Sequence, residues 1–141
     1  MVSKTKTGEK AKNGHVHGQE TTQFQLPPAA QQLLLQLQSL QQSLKAVLMQ
    51  KETLSIQKAE MDDALSELSK ANANEDVFKA VGQILVKVKK EDMEKELKEN
   101  KEAAELRLKT LNSQQEKIEE KMKELQAKLQ DMLKGSIAAA E

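Results

Sequence analysis

The 141-residue chain has no cysteine, no tryptophan and no tyrosine, and only two phenylalanines and two prolines. Without cysteine it forms no disulfides and no thiolate metal sites, which suits a reducing cytosol. Buried aromatics carry much of a compact core, so an aromatic content of 1% argues against one large core. No apolar run approaches the roughly 20 residues that span a bilayer, and the N-terminal stretch lacks the apolar segment of a secretory signal. Charge excess is absent too: 22 Lys and Arg balance 22 Asp and Glu, which removes the electrostatic footprint of a nucleic-acid binder. A soluble, cytoplasmic chain is expected, with neither membrane nor nucleic acid as a partner. What is present is Leu, Lys, Glu, Gln and Ala, the composition of long helices and coiled coils.

Residues 1–25 are rich in Lys, Thr, Gly and Gln and show no periodicity. They cannot bury enough apolar surface to offset their ordering entropy and are expected to form a disordered tail. His15, His17 and Glu20 could ligate a metal weakly, but nothing would hold them in place, so no metal site is expected. Pro27-Pro28 then marks a helix start, where a missing N–H costs nothing.

From there a heptad runs through Leu33, Leu37, Leu40, Leu44, Val47, Lys51, Leu54, Lys58, Met61, Leu65 and Leu68. The two lysines have aliphatic stems that can lie along a seam. This predicts a first helix over about residues 28–70, stopping in Ala71-Asn72-Ala73-Asn74. A second heptad, Leu97 to Met132, predicts a helix over about 91–134 that starts at Glu91-Asp92 and ends at Gly135. A short C-terminal tail, 136–141, would follow. Each helix has about 43 residues, or roughly 65 Å. Paired antiparallel, they can match Leu37 with Met132, Leu40 with Leu129, Leu44 with Leu125 and Met61 with Leu108, with no layer holding two polar residues. Two arms of one hairpin account for this better than parallel homodimers.

Between the helices, residues 77–88 lose the helical period and gain β-branched residues at alternate positions. Gly82-Gln83 suits a two-residue turn with Gly first. The predicted β-hairpin sets Val81 against Ile84, Lys79 against Val86 and Val77 against Val88 on one face, with Phe78, Ala80, Leu85 and Lys87 on the other. A lone two-stranded hairpin is marginal in water. The expectation is that Val77, Phe78, Val81, Gly82, Ile84, Leu85, Val86 and Val88 form an oligomerisation element shared among several chains. The alternative is a hairpin folded back onto its own coiled coil.

At the other end, no charged residue occurs between Thr21 and Leu44. Leu33, Leu34, Leu35 and Leu37 cover most of a helix circumference, more than one seam can bury. Leu129, Met132, Leu133 and Ile137 reach the same end. Apolar surface of this kind marks a binding site, and Met adapts to varied partners. These eight are the candidate client-binding residues. A frayed coiled-coil end, or contact with one fixed helical partner, is the alternative. Catalysis has no support: no P-loop motif, no Cys, and no His within the folded part. No cofactor is implied.

Leu26-Pro27-Pro28, the run Val77 to Val88, Lys90-Glu91-Asp92 and the stretch Glu105 to Leu111 together resemble the beta-class prefoldin subunits in their archaeal form. The resemblance covers about residues 26–134 and is most specific in the hairpin. It implies an all-α-dominated fold, a long antiparallel coiled coil whose single β-hairpin joins a β-barrel platform. It further implies a hexamer of two alpha-class and four beta-class subunits. That assembly would hold unfolded client proteins at its tips without ATP and deliver them to a group II chaperonin. The basic run Lys87, Lys89, Lys90 departs from the acidic or hydroxyl cap usual before such a helix. The rivals are a structural or tethering coiled coil with a fixed partner, which would carry a polar free end, and a transcription-modulating finger, which would need an acidic tip.

Overall fold

A computed structural model describes residues 26–139. The tail with His15, His17 and Glu20 lies outside the described residues, as do residues 140–141. Helix α1 (Pro28–Lys70) leads to strands β1 (Val77–Val81) and β2 (Ile84–Val88), and helix α2 (Lys90–Ala139) returns along α1. Pro27 and Pro28 open α1 without a side-chain cap; instead the Gln31 amide donates to the Leu26 carbonyl at 3.1 Å.

The core is a single seam. Ala30, Leu37 and Val47 from α1 and Ala104, Leu111 and Leu125 from α2 are buried, and Leu111 is fully so. Burying a leucine stabilises by roughly 1.5–3 kcal/mol, and spreading such contacts along two rods leaves most of each helix surface in water. Lys51 lies in this seam as anticipated from its stem. Its ammonium donates to Gln115 Oε1 at 2.6 Å, and the Gln115 amide donates to Glu119 at 2.9 Å. The polar layer is therefore satisfied rather than merely tolerated.

The register differs from the sequence-based one by a heptad. Lys101 pairs with Asp62 at 2.6 Å and Lys58 with Glu105 at 3.3 Å, while the Lys90 ammonium donates to the Ala71 carbonyl at 2.8 Å. With Leu37 opposite Met132, Lys101 would sit about six residues, or roughly 9 Å, along the axis from the level of Asp62. The observed pairs instead bring Leu37 level with Leu125, Leu54 with Leu108, Lys58 with Ala104 and Leu33 with Leu129. Leu40 and Leu125 accordingly line one shallow groove, and Leu54 and Arg107 another. The physical reason is degeneracy. A heptad pattern superimposes on itself after seven residues, so apolar layers alone fit both registers, and flanking charges and closure of the connection decide.

Helix α2 also corrects an expected boundary. It continues through Gly135 to Ala139 instead of ending at 134, so most of the anticipated C-terminal tail is helical. A glycine ends a helix by adopting a positive φ, but only Gly82 does so among the described residues. Gly135 costs about 1 kcal/mol relative to alanine, and the alanines that follow are good helix formers.

The hairpin has the register that the alternation predicts: Val81 pairs with Ile84, Lys79 with Val86 and Val77 with Val88. Gly82 has φ +60° and no other residue type does so among those described, which fits a turn with glycine first. The basic run also has a local account. Lys87 pairs with Asp76 at 3.0 Å across the hairpin base. Lys90 caps the carbonyl end of α1 through Ala71, where a cation complements the helix dipole.

Candidate interaction surfaces

At the hairpin end, Phe78, Val81, Ile84 and Leu85 are each at least half exposed, and Val86 is exposed as well. Val77, Lys79 and Val88 are half-buried, and Lys79 forms an ion pair with Glu96 of α2. The face with five apolar residues is thus not wholly uncovered by its own chain. Its base is tied down at Lys79, while the turn end, with Val81 and Ile84, stands free. The sequence reading missed Glu96; the lone cation on that face, with an acid soon after in α2, was the available signal. Gly82 contributes the turn and leaves open space around its Cα.

At the tip end the eight candidate residues separate by packing. Leu37 is buried in the seam. Leu33, Leu34, Leu129, Met132 and Leu133 are half-buried. Leu35 is 65% exposed and Ile137 58% exposed. Leu34 borders the seam and keeps only part of its surface free, whereas Leu35 points away from it. No charged side chain of α1 lies at this level. No described helix is long and apolar enough to cross a membrane.

The chain as a whole has counterparts among known proteins. The family model described as "Prefoldin subunit" matches residues 31–136. The chain is 50% identical to prefoldin subunit beta of Archaeoglobus fulgidus over 109 residues, covering 77% of this chain and 94% of that protein. It is 42% identical to prefoldin subunit beta of Pyrococcus furiosus, covering 80% and 97% of the two chains. The chain belongs to the prefoldin beta-subunit family. The crystal structure of the prefoldin beta subunit from Thermococcus strain KS-1 superimposes with a TM-score of 0.70 at 39% identity, over 76% of this chain and 94% of that one. The beta2 subunit from the same strain shares the fold, with a TM-score of 0.59. Prefoldin membership makes the chain a chaperone subunit that assembles with other prefoldin subunits.

Proposed function

We propose that the chain is one of four beta-class subunits in a cytoplasmic hexamer with two alpha-class subunits. The hexamer holds unfolded proteins without ATP and passes them to a group II chaperonin. The observation that carries this reading is the presence of two separate exposed apolar surfaces, one at each end of the coiled coil. Val81, Ile84, Phe78 and Leu85 sit on a two-stranded sheet, which needs further strands for stability and suits a barrel platform. Leu35 and Ile137, with the half-buried Leu33, Leu34, Met132 and Leu133 between their levels along the axis, suit apolar segments that vary from client to client. The Leu-rich tip, to which α1 brings no charged side chain, favours this over a tether with one fixed partner.

The test is native mass spectrometry of the chain mixed with an alpha-class subunit, followed by light scattering of a denatured model protein with and without nucleotide. A two-to-four stoichiometry with nucleotide-independent suppression is expected. A simple dimer, or suppression that needs ATP, would defeat the proposal.

A further inference from the structure

The coiled coil has two flanks with different chemistry. On one flank the carboxylates are already engaged: Glu105 takes Lys58, Asp62 takes Lys101, and Glu119 accepts from Gln115. The other flank presents Gln36, Ser43, Gln50 and Gln57 from α1 and Arg107, Lys121 and Lys128 from α2. It carries two shallow grooves of similar make. One, of about 390 Å³, has Leu54 and Met49 as apolar wall, Gln50 and Gln57 as amides, and Arg107 as cation. The second, of about 410 Å³, has Leu40 and Leu125, with Gln36 and Lys121 in the same roles. No carboxylate lines either groove. Arg107 is the only arginine of the chain and forms no ion pair among the described residues. Lys121 reaches Glu124 at 3.5 Å, but both side chains are about half exposed, and such pairs hold weakly.

We infer that this flank is a second client subsite, one that takes an extended, unfolded segment carrying carboxylates among apolar residues. The inference rests on the client-holding reading above and names a class of segment that reading leaves open. Arg107 and Lys121 lie two heptads apart on α2, roughly 21 Å along the axis. An extended peptide covers that distance in about six or seven residues, so acidic side chains at that spacing meet both cations. A guanidinium binds carboxylate in a bidentate manner, and the leucine walls accept the apolar side chains between. A neighbouring copy's arm is a poor occupant, because Asp62, Glu105 and Glu119 on its acidic flank are already engaged within their own chain.

The experiment uses the assembled complex and two fluorescent peptides of the same Leu, Ser and Gly background. One has two glutamates six residues apart, which an extended chain turns to the same face, the other glutamines at the same places, and binding is read by anisotropy. The glutamate peptide is expected to bind roughly tenfold tighter. The preference should shrink as salt rises from about 50 to about 300 mM and vanish in the double variant Arg107→Gln, Lys121→Gln. Equal affinities for the two peptides in the parent, or a preference that survives the double variant, would overturn the inference. So would a changed assembly mass in that variant, since the flank would then be a contact between subunits. The variant Leu35→Gln, Ile137→Gln separates the two readings. Weaker binding of both peptides with the glutamate preference intact supports both surfaces. Unchanged binding of the glutamine peptide counts against the tips alone.

Discussion

At the hairpin end and at the tip end alike, the chain leaves apolar side chains in water, but the backbones beneath them differ. The tip is helical from Pro28 in α1 and through Ala139 in α2, so its peptide groups are bonded within the helices apart from the first turn of α1 and the last of α2. The hairpin is a sheet of two strands, and every second residue of each turns its N–H and C=O outward, unpaired. A partner at the hairpin must therefore supply strands in register, which favours a fixed assembly. A partner at the tip need supply only apolar surface, which favours many different chains. Equal exposure thus corresponds to unequal specificity.

The largest expected effect comes from breaking the hairpin end. Replacing Val81 and Ile84 together with Asp places two carboxylates where the proposed barrel would offer only apolar neighbours, which costs several kcal/mol. Loss of co-assembly with an alpha-class subunit is expected on a sizing column, with the coiled coil still helical by circular dichroism. Normal assembly of this variant would remove the contrast between the ends. Next in size is the seam that joins them. Leu111→Ala empties a fully buried site and should destabilise by roughly 2–4 kcal/mol. Leu54→Ala should cost less, because Leu54 is half-buried at the groove wall. Thermal melts of both variants check that order, and equal shifts would contradict the difference in burial between the two leucines.

Both ends were legible in the sequence for local reasons. Alternation and Gly82 defined the hairpin register, and the heptads defined which face of each helix is inward. Two features were not legible, each because the deciding interaction is not local. The heptad pattern of Leu37, Leu40 and Leu44 fits α2 equally well one repeat away, and only contacts such as Asp62 with Lys101 and Lys90 with Ala71 choose between them. Gly135 reads as a stop in isolation, yet α2 runs on. The candidate site residues carried a similar limit. Leu33, Leu34 and Leu35 are identical letters, and only the packing separates the half-buried pair from the exposed third.

That separation sharpens the tip side of the comparison. Leu35→Gln with Ile137→Gln removes apolar surface from the two most exposed tip residues and changes stability by no more than about 0.5 kcal/mol. The expected result is an assembled complex of unchanged mass that suppresses aggregation of a denatured protein less well. Leu34→Gln should add a measurable drop in melting temperature, since that side chain borders the seam. Full protection by the Leu35 and Ile137 double variant would show that exposure at the tip does not serve client holding.

The smallest effect concerns the ion pair that helps choose the register, well away from both ends. Asp62, by its hydrogen bond and its charge, holds the Lys101 ammonium above the ordinary lysine value, with Glu105 adding to it and desolvation opposing. A lysine whose pKa is raised on folding contributes stability that is complete below the unfolded value and is lost as pH rises through the folded one. The loss should therefore begin near pH ~10 and leave the neutral range untouched. Lys101→Met keeps an aliphatic stem in the seam while removing the titrating group. Melting curves of parent and variant taken at neutral and strongly alkaline pH should converge on the alkaline side, because the parent alone loses this pair. Coincident melting curves at both pH values would mean that Lys101 acts through its stem alone, and that register rests on the remaining pairs.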